Sequence, residues 1–168
     1  MKTDWNIITQ KHGPTVWKAV YRILQSHSES LDCYQEIMLE AFEQSQKKTI
    51  NSWPGFLRWL AVRRAIDTLR KRYRSQSKLD HSRDVGLVSL PNDPSQALEM
   101  QELLGRLRSE LVKLPQPMAE AFWLRFVEQM NYAEIAEQLD IEPSSVGVLI
   151  HRGRQRICKA ISDLQPTR

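Results

Sequence analysis

Residues 132–154 read YAEIAEQLDIEPSSVGVLIHRGR, and the fold turns on this stretch. Two helices that cross closely need a small residue on the first, and Ala136 provides it. Ile135, Leu139, Ile141, Val146 and Leu149 supply apolar groups on both sides of a break at residues 140–143. Glu142-Pro143 suits the start of the second helix, because a proline at the first helical position forfeits no hydrogen bond. This is the pattern of a helix-turn-helix, whose second helix enters the DNA major groove, where base edges are distinguishable. Arg152, Arg154, Arg156 and Lys159 follow without an acid, giving residues 151–159 a net charge of +4 suited to phosphate contacts. The opening turns of that helix carry Ser144, Ser145, Gly147, Val148 and Ile150, none of them a long donor for a bidentate contact with guanine. Gly147 also weakens the helix by roughly 1 kcal/mol relative to alanine. A plain helical hairpin with a solvated basic tail fits the same letters.

Outward from this unit the spacing of apolar residues is helical throughout. Val16, Trp17, Val20, Tyr21 and Leu24 follow Pro14, which predicts a helix whose first turn holds that proline. Leu31, Tyr34, Ile37, Met38, Ala41 and Phe42 form a second stripe, with Asp32, Gln35, Glu36 and Glu43 opposite. Trp53-Pro54-Gly55 opens a third helix with Phe56, Leu57, Leu60, Ala61, Ala65, Ile66 and Leu69 at core spacing. Residues 75–95 lose periodicity and collect Ser, Asp, Gly86, Pro91 and Pro94, as a linker would. Asp93-Pro94-Ser95 then starts a fourth helix, and Leu114-Pro115-Gln116-Pro117 ends it and begins a fifth through Phe122, Trp123 and Phe126. The expected fold is all-α: two small helical domains, 1–75 and 96–168, joined by a flexible linker at 76–95. The second contains the helix-turn-helix. That linker implies halves without a sizeable fixed interface, tumbling semi-independently.

Composition bounds the function. The chain has 168 residues, 41% hydrophobic and 26% charged, with only 6 glycines, an ordinary globular make-up that favours helix. It contains no run of 18 apolar residues and no apolar leader, which predicts a soluble cytoplasmic protein without membrane insertion. Cys33 and Cys158 make no disulfide framework and no metal site, so neither metal nor cofactor is expected. His12, His27, His81 and His151 stand in unrelated contexts without paired carboxylates or a nucleophile motif, which argues against an enzyme and leaves catalytic residues at none. Charge alternates along the chain: −5 over residues 29–46, +7 over 58–78, −6 over 93–142, then +4. Two basic segments fit a polyanion touched at two places, and the acidic ones fit a basic partner, although solvated helix faces carry such charges too. The basic third helix interleaves Trp53, Phe56 and Trp59 with Arg58, Arg63, Arg64 and Arg70, as stacking bases and neutralising phosphates require. Phe56 reads as core. Trp53 and Trp59 fit either a core or a nucleic-acid role.

The chain resembles bacterial RNA polymerase sigma factors of the extracytoplasmic-function class. Residues 31–42, LDCYQEIMLEAF, resemble their acidic helix, and 59–72, WLAVRRAIDTLRKR, their promoter-melting helix. Leu114-Pro115, Phe122, Leu124-Arg125, YAEIA at 132–136 and HRGR at 151–154 resemble their C-terminal region. The resemblance implies a specificity subunit whose partners are core RNA polymerase and promoter DNA, with an anti-sigma factor as a regulator common in the class. Asp32, Gln35, Glu36 and Leu39 would dock on the polymerase. Asn51, Ser52 and Trp53 would lie where a flipped base of the minus-10 element is held, and Trp59, Arg63, Arg64 and Arg70 would hold that element's strands. Asp67 would anchor the helix. The helix-turn-helix would read the minus-35 element. The family usually has Asn at Arg63, Gly at Gln129 and Asp140, and Lys and Arg at Gly147 and Leu149. The last two departures shift minus-35 contacts onto Ser144, Ser145, His151 and Arg152, with Arg154 beside them. Glu142 stands where the family's serine caps the helix, and it is a weaker cap. The alternative is a helix-turn-helix regulator that never joins the polymerase, which leaves the acidic and aromatic-basic helices without a task.

Overall fold

The structure is a computed structural model and describes residues 4–76 and 93–163. The described residues form seven α-helices and no strand: α1 (Trp5–Leu24), α2 (His27–Lys47), α3 (Trp53–Gln76), α4 (Pro94–Leu111), α5 (Gln116–Phe126), α6 (Tyr132–Leu139) and α7 (Pro143–Ser162). Most of the sequence's linker, residues 77–92, lies outside the described residues.

Helices α1–α3 bury one shared core. Val16, Ala19, Val20 and Ile23 of α1 meet Ile37 and Ala41 of α2 and Leu57, Leu60, Ala61, Ala65 and Leu69 of α3, nearly all fully buried. Each helix start has a side-chain acceptor: Asp4 takes the Asn6 N–H, Ser26 that of Glu29 and Ser52 that of Gly55. Pro14 does not open α1; it sits inside a 20-residue helix that begins nine residues earlier, at Trp5. Tertiary contacts override the missing N–H: Ile8 is buried, and Trp5 packs edge-on against Phe42 and Trp53. Leu31 and Phe42 end the second apolar stripe less deeply than its spacing implied, each 41% exposed.

The second half packs α5 and α7 against each other with α4 and α6 flanking. Gly153 makes the closest approach possible, since a Cβ there would lie 3.2 Å from Met118 Cγ. Asn131 and Glu134 form a reciprocal cap on α6. Glu142 makes no side-chain cap on α7, in line with its weakness at that position. Ile135, Ala136 and Val146 are buried across the turn, and Leu139, Ile141 and Leu149 pack against that core, as the spacing required.

The halves touch each other, at a contact that the sequence did not imply. Helix α3 packs along α5 and also touches α6 and α4. Trp59 Nε1 donates to Glu120 Oε2 at 3.3 Å, Arg70 donates to the Leu114 carbonyl at 2.7 Å and to Gln116, and Arg22 pairs with both carboxylate oxygens of Glu128 at 3.1 Å. Apart from Trp59, which fits either role, these are polar residues that read as surface when taken alone.

Gln129 and Asp140 occupy left-handed backbone, with φ of 56° and 55°, at the two positions where the resembled family carries glycine. A non-glycine residue there costs roughly 1–2 kcal/mol, and glycine's greater unfolded freedom returns about 0.5–1 kcal/mol of that. Gln129→Gly is therefore expected to raise stability in chemical denaturation by up to about 1 kcal/mol, and Asp140→Gly by less, because Asp tolerates this region better. A loss of stability in Gln129→Gly would show that its side chain contributes more than its backbone costs.

Candidate functional site

Three surfaces gather the residues that the sequence singled out. On α2, Asp32, Gln35, Glu36 and Leu39 fall at i, i+3, i+4 and i+7, a single face. All four are exposed, Leu39 by 60%, and among the described residues none enters an ion pair. The buried side of the helix, Cys33, Ile37, Met38 and Ala41, fixes that row outward. Burial pushes the Cys33 thiol up to about 11, so it stays a protonated core residue.

The second surface is α3 with the turn before it. Lys47, Lys48, Thr49, Ile50 and Trp53 line an open recess at the end of α2. Asn51 is exposed beside it, whereas Ser52 is engaged in capping α3. Trp53 is half-buried, edge-on to Trp5 and Phe56, and Phe56 is core. Trp59, Arg63 and Arg70 lie on one face of α3 at i, i+4 and i+11, with the Arg63 guanidinium 5.3 Å from the centre of the Trp59 ring. Arg63 is exposed, while Trp59 and Arg70 are held by α5. Arg64 points away from this face and binds Glu40 of α2, its Nε donating to Oε2 at 2.6 Å. It thereby ties α3 to α2 and is not brought together with the other three. The Glu40 hydrogen bond raises the Arg64 pKa, and half-buried Asp67 adds a smaller push in the same direction.

The third surface is α7. Ser144, Ser145, His151, Arg152 and Arg154 are all exposed. Val148, 48% exposed, sits one turn from Ser144 and one turn from Arg152, in the middle of the same stripe. The sequence marked it only as lacking a long hydrogen-bond donor, which hid its place in the exposed stripe. The missing side chain at Gly147 is partly replaced from α6: a Cβ there would lie 3.5 Å from the Tyr132 ring, which the Arg125 guanidinium covers at 5.5 Å.

Sequence reasoning also missed Gln116 and Glu120. Glu120 is 3% exposed; it accepts from Gln116 Nε2 at 2.6 Å and from Trp59. Burial drives its carboxyl up from the ordinary glutamate range, and Asp67 adds to this. The two hydrogen bonds and Arg63 oppose the rise without cancelling it. Gln116 is a local i, i+4 partner, but Trp59 stands 61 residues away, where no sequence pattern points to it.

Comparison with known proteins supports the sequence resemblance. The family pattern described as sigma-70 region 2 matches residues 8–75, and that of sigma-70 region 4 matches residues 104–157. The chain is 27% identical over 162 residues to the ECF RNA polymerase sigma factor SigW of Bacillus subtilis (strain 168), covering 89% of this chain and 84% of that protein. Its fold matches the sigma factor RpoE as solved in complex with the anti-sigma factor NepR from Bartonella quintana. The TM-score is 0.57 at 16% identity, over 94% of this chain and 98% of that one.

The buried Glu120 gives the contact between the halves a pH dependence. Its pKa in contact lies above that of an exposed glutamate, so making the contact takes up a proton. That contribution is complete below the exposed value and is lost as pH climbs through the raised one. Small-angle scattering should therefore show the halves parting more readily as pH rises above the ordinary carboxylate range, and Glu120→Gln should abolish the trend. A profile of the opposite slope would contradict this.

Proposed function

The chain belongs to the sigma-70 family of RNA polymerase sigma factors, in its extracytoplasmic-function class, and directs promoter-specific transcription initiation with core polymerase; on that footing we propose how its surfaces divide the work. Residues 1–75 act as the region 2-like domain, 96–168 as the region 4-like domain, and 76–95 as the linker. The exposed row Asp32, Gln35, Glu36 and Leu39 docks on the polymerase. The recess beside Asn51, Ser52 and Trp53 receives a flipped minus-10 base, and Trp59, Arg63 and Arg70 hold the strand by stacking and phosphate pairing. Arg64 serves this surface indirectly, by fixing α3 against α2.

Helix α7 lies in the minus-35 major groove. Ser144, Ser145 and His151 offer hydrogen bonds to base edges, Val148 an apolar contact for a thymine methyl, and Arg152 and Arg154 bind phosphates. No helix among the described residues is long and apolar enough to cross a membrane, and the reading places the protein in the cytoplasm with its polymerase, as a specificity subunit without catalytic chemistry. The neighbouring RpoE is held by an anti-sigma factor, and a partner of that kind is proposed here too.

The observation that carries this reading is the order of surfaces along one chain: an exposed acidic row, an aromatic and cationic stripe, then a helix-turn-helix with arginines after it. A free-standing DNA-binding regulator has no use for the first. The double variant Asp32→Lys, Glu36→Lys should copurify with core polymerase at least ten-fold less well while keeping its helical circular dichroism. Undiminished association would remove α2 from the docking surface.

On duplexes selected by the wild-type protein from a randomised pool, Arg152→Ala with Arg154→Ala should flatten the log–log salt dependence by about 0.9 per lost phosphate contact, leaving base preference unchanged. On the same duplexes, uracil in place of a contacted thymine should weaken wild-type binding a few-fold and leave Val148→Ala indifferent. A changed preference in the arginine variant, or equal sensitivity to uracil in the valine variant, refutes the respective assignment.

A further inference from the structure

Trp59, Arg63, Ile66 and Arg70 recur at i, i+4, i+7 and i+11, so they form one stripe about three turns long on α3. Ile66 is buried within it; the other three carry an indole and two guanidinium groups. Helix α5 lies along this stripe and meets both ends of it. At one end the Trp59 N–H donates to the Glu120 carboxylate. At the other, Arg70 donates to the Leu114 carbonyl and to the Gln116 side-chain oxygen. Gln116 also donates to Glu120 at 2.6 Å, so the two ends are linked through one turn of α5. Everything that α5 and the turn before it offer to α3 here is an oxygen acceptor: one carboxylate oxygen, one side-chain amide oxygen and one backbone carbonyl. Those are the groups a nucleic-acid strand would offer through its phosphates and base edges.

We infer that α5 is an internal competitor for the nucleic-acid face of α3, so that the closed arrangement and a strand-bound arrangement exclude each other. The inference rests on the assignment of that face to the minus-10 strand. Both cannot hold at once, because α5 packs over the stripe, takes the Trp59 N–H and engages both terminal nitrogens of Arg70 from the side a strand would approach. The docking row on α2 stays exposed in the closed form, so closure withholds the protein from DNA and leaves it available to polymerase.

The contact also contains terms that oppose it. Glu120 is desolvated, and burial lowers the pKa of Arg108, whose Nε is buried without a partner and which feels Arg72 of α3. Burying a polar group without full compensation costs free energy, which keeps closure reversible. A third tie, Arg22 with Glu128, joins the halves away from the stripe; the arginine side chain is 48% exposed and the glutamate side chain 4%, so solvent screens the pair from one side only.

The test uses the full-length protein and a fluorescent single-stranded oligonucleotide carrying the non-template minus-10 strand of a promoter mapped by run-off transcription. Gln116→Ala with Glu120→Ala is expected to bind it about ten-fold more tightly than wild type, the scale of two lost hydrogen bonds, and to show a larger radius of gyration by scattering. Glu128→Ala, which touches nothing on the stripe, should move both readouts the same way by a smaller factor. Glu102→Ala, an exposed acid on α4, should move neither, which separates opening from a mere change of charge. Copurification with core polymerase should be unchanged in all three.

An expanded double variant with wild-type affinity for the strand would overturn the inference, as would tighter binding without expansion. Trp59→Ala and Arg70→Ala identify the other failure. If they bind the strand as well as wild type, the face has been misassigned and the competition falls with it, even though the closed contact itself stands.

Discussion

Everything in this molecule is hung on α3, a helix that has to be buried on two sides and still present a cationic stripe. One side sinks Leu57, Leu60, Ala61, Ala65 and Leu69 against α1 and α2, each below 2% exposed. Burying a leucine of this kind stabilises by roughly 1.5–3 kcal/mol, so this side alone fixes the N-terminal bundle. Two cross-helix ion pairs of the same helix, Arg64 with Glu40 and Arg72 with Glu29, set its rotation and its distance from α2. Once that rotation is set, Trp59, Arg63 and Arg70 have to face outward together. The aromatic and cationic stripe is thus a geometric by-product of how α3 is buried.

The C-terminal half solves a different problem, which is to hold α7 proud of the surface with little help at its start. Glu142 provides no cap, and Gly147 weakens the first turns. What secures α7 is farther along. Val146, Ile150, Gly153 and Ile157 are buried at helical spacing, and Gly153 lets α7 lie directly on Met118 and Phe122. The turn geometry carries strain at Gln129 and Asp140, which occupy left-handed backbone without being glycine. Arg125 offsets some of that cost by donating to the Met130 carbonyl at 3.2 Å, which closes the α5–α6 connection. The exposed stripe of α7 is short-chained and partly apolar, and its long cationic side chains come only with the arginines that follow.

Charge links the two halves in a way that neither half needs for its own folding. The N-terminal half holds the basic stripe and the C-terminal half holds Gln116, Glu120 and Glu128. Brought together they satisfy each other, at the cost of desolvating a carboxylate and a guanidinium. An interface of this polar kind resembles a transient one more than a shared core.

The sequence by itself determined the helix inventory, because 3.6-residue periodicity, proline positions and caps are local signals. The start at Asp93, the break at 114–117 and the turn at 140–143 all lie where it placed them. It also determined the exposed row on α2 and the helix-turn-helix core, since a helix with one apolar face leaves no choice about the opposite one. It misjudged Pro14, because the contacts that carry α1 through it, Trp5 on Phe42 and Trp53, join residues 37 and 48 positions apart. Only the tertiary structure decided that Arg64 is tied to Glu40 and that Trp59 and Arg70 meet α5. Those outcomes depend on which of several exposed-looking polar groups find one another across 24 to 61 residues of chain. Polar pairing has no periodicity, and a carboxylate such as Glu120 reads as surface until a second helix is laid over it.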